Sequence, residues 1–431
     1  MILPDTAQFR DGHLFVGGCD TVELAHEFGT PLYVFDEATL RNRARTYTQA
    51  FASRYPSVLL CYAAKAFLNP WLARLLAEEG FGLDVVSGGE MTVAQRAGFP
   101  MSRVHLHGNN KLPEELGLAL DLGVGRIVID NFTEIPLLDD LARGRRKVAE
   151  VMLRIAPGIE AHTHEYLRTG GSYSKFGIPV MTDQAAEAVG RIVSSQHLKL
   201  VGFHAHIGSQ IFDLLPFEEN VEALMDFGLQ MCERYQFDLL EISPGGGLGI
   251  QYQDSDDPPS VEDVAGTITG VMRHLAAKYK VGLPRLVVEP GRSLVGQAGL
   301  TLYTAGSIKD IPQKRKYVAV DGGMADNIRP ALYQASYQAL VANKSEEPAS
   351  ERVTIAGKYC ESGDVLIDDI ALPRIEPGDI IAVPVTGAYC IPMASNYNLT
   401  LKPPIVAVKD SQVTLIRRRE SYDDLLACEV V

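Results

Sequence analysis

Lys65 ends the apolar run Val58-Leu59-Leu60-Cys61-Tyr62-Ala63-Ala64. A buried strand that stops at a lysine delivers an amine to the rim of a sheet. Gly245-Gly246-Gly247 follow a later apolar run, and Gly291-Arg292 follow another. Glycines let the backbone approach an anion closely, and Arg292 can add a charge-assisted hydrogen bond to a phosphate. An amine near a phosphate site is the equipment for carrying pyridoxal phosphate as a Schiff base. That cofactor also needs an acid at its pyridine nitrogen. Glu289 ends an apolar run and can serve; unpaired, such a carboxylate is costly to bury. The imidazole of His206 can stack on a ring face and the Ser209 hydroxyl can reach phosphate, whereas His204 reads as a satisfied core histidine.

The elements that must position these residues are eight runs of one kind. The first ends at Lys65. The others are Gly82–Ser87, Val104–Gly108, Arg126–Asp130, Val151–Ala156, Val201–His206, Leu240–Pro244 and Leu286–Pro290. Helix-forming stretches separate them, for example Asn69–Glu79 and Thr182–Ser194. Short apolar strands alternating with helices predict a (β/α)8 TIM barrel, whose chemistry sits at the C-terminal ends of the strands. The loops after strands seven and eight of such barrels often hold phosphate, which is where Gly245–Gly247 and Gly291–Arg292 fall. At 431 residues the chain outruns a barrel of about 250. After Arg292 the pattern turns to β-type runs, Lys316–Val320, Arg352–Ala356, Asp379–Val383 and Gln412–Ile416, with turns at Asp321-Gly322-Gly323 and Pro377-Gly378-Asp379. The sequence thus predicts an α/β barrel over residues 31–292 and a C-terminal all-β domain over 293–431. Residues 1–30, with a strand at His13–Val16, join the β domain. Gln253–Pro259 reads as a surface loop.

With 46% hydrophobic residues the chain can bury a sizeable core. A formal net charge of -14 argues against a nucleic-acid groove, which needs clustered Lys and Arg. The basic runs Arg143–Lys147 and Arg417–Arg419 are short and read as solvated. The N-terminal residues lack a basic region followed by an apolar stretch, and no run approaches membrane-spanning length. Cys19, Cys61, Cys232, Cys360, Cys390 and Cys428 show no CxxC spacing, nor does the chain show HxxxH, so neither disulfides nor a metal site is expected. The expectation is a cytoplasmic protein with reduced thiols.

Taken in order, the motifs resemble those of a known family. Tyr62-Ala63-Ala64-Lys65-Ala66, Asp84-Val85-Val86-Ser87-Gly88-Gly89-Glu90, Gly108-Asn109-Asn110-Lys111 and His204-Ala205-His206-Ile207-Gly208-Ser209-Gln210 look like barrel motifs of the diaminopimelate decarboxylases. So do Gly245-Gly246-Gly247-Leu248-Gly249 and Glu289-Pro290-Gly291-Arg292. In the second domain Ile328–Tyr333, Cys360–Asp364 and Gly387–Cys390 match as well, and the likeness reaches Arg417-Arg418-Arg419-Glu420. The wider group is the alanine-racemase-fold, pyridoxal-phosphate decarboxylases.

The resemblance implies an alanine-racemase-like barrel that decarboxylates meso-diaminopimelate to lysine, the last step of lysine biosynthesis. It implies that Lys65 carries the cofactor and that Asp84, His206, Ser209, Gly246, Gly247, Glu289, Gly291, Arg292 and Tyr389 bind it. Cys360 becomes the acid that reprotonates the α-carbon. Beside Glu361 and near Asp364 its thiol should resist ionisation, which suits a donor. Arg329 and Tyr333, with Arg292 and Tyr389, would hold the distal carboxylate of the substrate, and Glu361 its distal amine. A cationic pocket repels substrates that carry only positive charge at that end.

In this family the active site lies between the barrel of one subunit and the β domain of another. A head-to-tail homodimer is therefore implied, with a small-molecule substrate and neither nucleic acid nor membrane as partner. Decarboxylation of carboxynorspermidine, ornithine or arginine is the alternative. A non-catalytic regulator would be expected to lack Lys65 or Cys360, and a racemase to carry a tyrosine where Cys360-Glu361 stand. Small pyridoxal-phosphate homeostasis proteins lack the β domain. One segment departs from the family pattern: a lysine is expected within Thr169-Gly170-Gly171-Ser172-Tyr173, before Ser174-Lys175-Phe176-Gly177, and the chain has none. That loop bears on substrate preference.

Overall fold

The computed structural model describes residues 1–159 and 174–430, so the departing segment Thr169–Tyr173 lies outside the described residues. The chain forms two compact units. One comprises Ala44–Gly249 and Pro258–Gly291; the other comprises Met1–Arg43, Ile250–Asp257 and Arg292–Val431.

The first unit is the expected barrel. Its parallel strands are Val58–Ala63, Gly82–Val85, Val104–Leu106, Arg126–Ile129, Ala149–Ala156, Leu198–His204, Glu241–Gly245 and Arg285–Val288. They pair in chain order, and the last closes on the first through Leu286 opposite Val58 and Val288 opposite Leu60. Each strand is buried almost throughout, as parallel strands covered on both faces must be, and this makes their sequences continuous apolar runs. The helices between them start where the local chemistry supplies partners for free N–H groups. Asn69 accepts from Leu72 N ahead of Pro70–Glu78, Ser87 accepts from Glu90 N ahead of Gly88–Arg96, and Ser260 with Asp263 forms a capping box for Val261–Tyr279. Helix Pro70–Glu78 turns Leu72, Ala73, Leu75 and Leu76 inward, and each buried Leu contributes about 1.5–3 kcal/mol.

The second unit is built around the long strand Gly299–Ile311 in a nine-stranded sheet. That strand pairs antiparallel with Leu32–Asp36, Arg315–Val320 and Ile380–Pro384. The strands read from the sequence appear at His13–Val16, Arg315–Val320, Glu351–Ala356, Ile380–Pro384 and Gln412–Arg417. Gly299–Ile311, Val365–Leu372 and Ile405–Lys409 were not singled out. The structure also moves the expected boundary at residue 31. Leu32–Asp36 is buried throughout and pairs with Gly299–Leu302 on one side and Ile405–Val408 on the other, so it belongs to the β unit. At the far end the barrel stops at Gly291, leaving Arg292 with the β unit. No helix among the described residues is long and apolar enough to cross a membrane.

One buried acid of the β unit sets a pH dependence. Asp326 is 3% exposed and accepts from the Tyr303 hydroxyl and from Gly323 N. Burial above all pushes its carboxyl up to about 7 from the ordinary 3.8. The folded chain then holds this proton more tightly than the unfolded chain. Its contribution to stability is full below the unfolded value and is lost as pH rises through the folded one, on the order of 4 kcal/mol in all. Asp326→Asn is expected to flatten the fall in Tm between about pH 4 and 7. Thermal unfolding of both proteins across that range checks this, and parallel curves would contradict it.

Candidate active site

A cavity of about 360 Å3 opens at the C-terminal ends of the barrel strands. Lys65, in the short turn Ala64–Ala66 after the first strand, lines it together with Asp84, His206 and Glu289. The structure thus brings four of the sequence-derived residues together. It adds His107, Arg154, His204, Asn109, Asn110 and Phe176 to the same wall. The turn that carries Asn109 and Asn110 is pinned by Lys111, whose buried ammonium donates to Gly108 O and Val128 O and pairs with Glu134 at 2.6 Å. Arg154 lies over the Phe176 ring, 4.5 Å from its centroid, and 3.8 Å from Asp130.

His204 corrects the sequence reading. It is buried, but it is more than core filling: its Nε2 lies 3.0 Å from Glu289 Oε2. His204 ends its strand and His206 lies just beyond it, and both line the cavity. The Ser243 hydroxyl donates to Glu289 Oε1 at 2.8 Å, and His107 Nε2 lies 3.6 Å from both Glu289 Oε1 and Asp84 Oδ1. Burial alone would push the Glu289 carboxyl up, yet His204, His107 and the hydrogen bonds from His204 and Ser243 together hold it well below the usual carboxylate range. For Asp84, burial and the neighbouring Glu289 charge act in one direction and raise the carboxyl well above that range. Burial, with Lys65 and Arg154 nearby, pushes His206 well below the usual imidazole range, so its ring is neutral. At neutral pH the cavity wall therefore carries an ionised Glu289 and a neutral His206 imidazole.

His107, His204 and Glu289 also bring donor atoms within 4.8 Å of one another. No spacing in the sequence reveals this, because each comes from a different strand. Arg154 did leave a signal, a charge inside the apolar run Val151–Ala156, as did His107 at the end of the third run.

The expected phosphate-side loops pack against each other. Ile211 N donates to Gly247 O and Gly249 N donates to Ile211 O, both at 3.0 Å, which places the loop bearing Ser209 beside Gly245–Gly249. Gly246 N donates to His206 Nδ1 at 3.4 Å and orients the imidazole. A Cβ at Gly246 would overlap the carbonyl oxygen of Glu289, and Gly247 has a φ of +116, so both positions require glycine. Gly291 packs against Ala63 at the base of the Lys65 turn.

In the β unit, Arg292 and Arg329 are 4% and 5% exposed, so Arg329 is no solvated charge. Both donate to the Tyr252 hydroxyl, at 2.8 and 2.9 Å, and Arg329 also donates to the Tyr337 hydroxyl at 2.6 Å. Arg292 lies over the Tyr389 ring at 4.7 Å. Tyr252 and Tyr337 were missed by sequence reasoning. Tyr333 is half-buried on the short helix Arg329–Tyr333. Cys360 and Glu361 lie exposed on a separate loop, and among the described residues no hydrogen bond or ion pair joins them to the arginine cluster.

Residues 37–296 match the family described as pyridoxal-dependent decarboxylase, pyridoxal binding domain. The chain is 47% identical over 423 residues to the diaminopimelate decarboxylase of Bacillus subtilis (strain 168), covering 98% of this chain and 96% of that protein. It is 42% identical over 435 residues to that of Mycobacterium tuberculosis (strain H37Rv), covering 99% and 97%. Among solved structures, diaminopimelate decarboxylase from M. jannaschii in co-complex with L-lysine superposes with a TM-score of 0.94 at 37% identity, over 100% of this chain and 99% of that one. With a family match across more than half its length and relatives aligned end to end, the chain belongs to the pyridoxal-dependent decarboxylases and, among them, to the diaminopimelate decarboxylase family.

Proposed function

We propose that this chain removes CO2 from meso-diaminopimelate and releases L-lysine. The observation that carries this reading is a full-length likeness to diaminopimelate decarboxylases in a chain that keeps Lys65 at the rim of the barrel cavity and Glu289 at its floor. The residues present fit pyridoxal phosphate. Asp84 Oδ1 and His107 Nε2 are buried without hydrogen-bond partners at a cavity that offers an amine and an ionised carboxylate. When bound, the cofactor supplies the electron sink that takes up the pair left by departing CO2.

On this reading the Lys65 amine would hold the cofactor at the barrel cavity. Glu289, kept ionised by His204 and Ser243, holds a proton on the ring nitrogen, with Asp84 beside it. The neutral imidazole of His206 offers its face to the ring. Ser209, Gly246, Gly247, Gly291, Arg292 and Tyr389 serve the phosphate. Arg329 and Tyr333, with Arg292 and Tyr389, hold the distal carboxylate, and Glu361 takes the distal ammonium. Cys360 delivers the proton to the α-carbon. The exposure of Cys360 and Glu361 in the single chain suits service to a second copy, so we assign a head-to-tail homodimer in which the β unit contributes to the partner's site. We place the protein in the cytoplasm, where its free cysteines stay reduced.

The test is CO2 release by the purified, cofactor-loaded protein from meso-diaminopimelate, ornithine, arginine and carboxynorspermidine, each offered separately. Diaminopimelate is expected to win by at least about 30-fold in kcat/KM, because a buried charge left without its partner costs about 2–5 kcal/mol. Lysine should be the product. Release only from another substrate would overturn the roles given to Arg329 and Glu361.

A further inference from the structure

The stretch Arg417-Arg418-Arg419-Glu420 matches the family motif, yet the reaction described above gives it no task. In the β unit the Glu420 carboxylate grips both ends of one short segment. Its Oε2 accepts from Asn396 Nδ2 at 2.7 Å and from Lys402 N at 2.8 Å, while Oε1 accepts from Arg417 at 3.4 Å. Glu420 N returns a bond to Lys402 O at 3.2 Å. Asn396 Nδ2 donates onward to Thr400 O at 2.9 Å and so closes the turn between them.

That turn has an unusual backbone. Asn398 and Leu399 are consecutive left-handed residues, with φ of 51 and 55. Asn tolerates this region and Leu rarely enters it, so the conformation is held by its surroundings. What the turn presents is the loop that carries Cys360. Asn398 Oδ1 accepts from Cys360 N at 3.4 Å, the Tyr397 ring meets the Tyr359 ring edge-on at 5.9 Å, and Thr400 Oγ1 donates to the Tyr359 hydroxyl at 3.3 Å. Asp364 accepts from Tyr359 N at 2.9 Å from the other side. An unbroken series of contacts therefore runs from Glu420 through Asn396 and Asn398 to the backbone of Cys360.

We propose that Glu420 is a positioning residue for Cys360, acting through the Asn396–Thr400 turn. The proposal rests on the reading of Cys360 as proton donor, and its test separates the two. Glu420→Gln keeps the size of the side chain, and its one carbonyl oxygen can still accept from Asn396 Nδ2 and Lys402 N, but the negative charge that strengthens those bonds is gone and an amide NH2 faces Arg417 in place of the accepting Oε1. In the cofactor-loaded enzyme with diaminopimelate, kcat is expected to fall about tenfold with KM nearly unchanged, the effect of one charge-assisted hydrogen bond. In a Cys360→Ser background the same substitution should remove nothing further. Asn398→Gly keeps a left-handed backbone available and deletes only the acceptor; it should show the same loss and the same dependence on Cys360 even if Glu420→Gln folds poorly.

Losses that simply add to that of Cys360→Ser would overturn the proposal, since a merely structural role does not need the thiol. No loss in either variant would overturn it equally. If Cys360→Ser itself left kcat intact, the proton-donor reading would fall and take this proposal with it, a failure recognisable as a different one.

Discussion

In the proposed head-to-tail dimer, equal mixing of Lys65→Ala and Cys360→Ala proteins, followed by subunit exchange, is expected to restore about a quarter of wild-type activity, because half the dimers would be hybrids with one intact site each. Alone, each variant should be nearly dead. Lys65→Ala removes the amine proposed to hold the cofactor and should cost on the order of 10^4-fold in kcat. Cys360→Ala removes the proposed proton donor and should cost about 100-fold or more. The expectation follows from where the side chains lie: Lys65 lines the barrel cavity, while Cys360 stands exposed on a loop of the β unit. Steady-state CO2 release from the mixture, with exchange verified by differently tagged subunits, is the measurement. Exchange without recovery would mean that each site is assembled within one chain.

Glu289→Gln should lower kcat by roughly 10^2–10^3-fold while leaving KM for diaminopimelate within a few-fold. The carboxylate is 6% exposed and accepts from His204 and from Ser243, so a glutamine of equal size fits the same space. What disappears is the negative charge that His204, His107 and Ser243 stabilise at the floor of the cavity. A neutral amide cannot hold a proton on the ring nitrogen, so the pair left by CO2 is accommodated less well. Lys65 is untouched, and the absorbance of the lysine-held cofactor should persist. Full kcat in this variant, with cofactor content equal to wild type, would remove Glu289 from the chemistry.

The barrel was legible because burial on both faces leaves no polar alternation to confuse its strands, and because each run ends in a residue of distinct chemistry. Lys65, Asp84, His206 and Glu289 could be read as strand ends, and they meet at one cavity. His204 was read as core filling because it sits inside the apolar run, although it ends the strand and lines the cavity beside His206. Arg154 was visible as a charge inside an apolar strand, but only the fold reveals that it turns toward Phe176. In the β unit, Gly299–Ile311 mixes Gly, Thr, Ser, Lys and Asp and passes from buried to exposed, so no period marks it. Leu32–Asp36 was assigned to the barrel because its partners lie far along the chain. Tyr252 and Tyr337 left no local signal; their meaning comes from Arg329, which lies between them.

The placement of Leu32–Asp36 has a temporal consequence. Val34 pairs with Leu300 on one side and with Val406 on the other, so this early segment cannot complete its sheet until nearly the whole chain has been made. At about 5–20 residues per second, that leaves the strand waiting on the order of 20–70 s with an apolar face and open backbone groups. The barrel residues, from Ala44 to Gly291, are all synthesised within that interval and carry most of their pairings between chain neighbours. The nascent protein therefore has a natural order: the barrel can close first, and Leu32–Asp36 stays without its sheet partners until the last strands arrive.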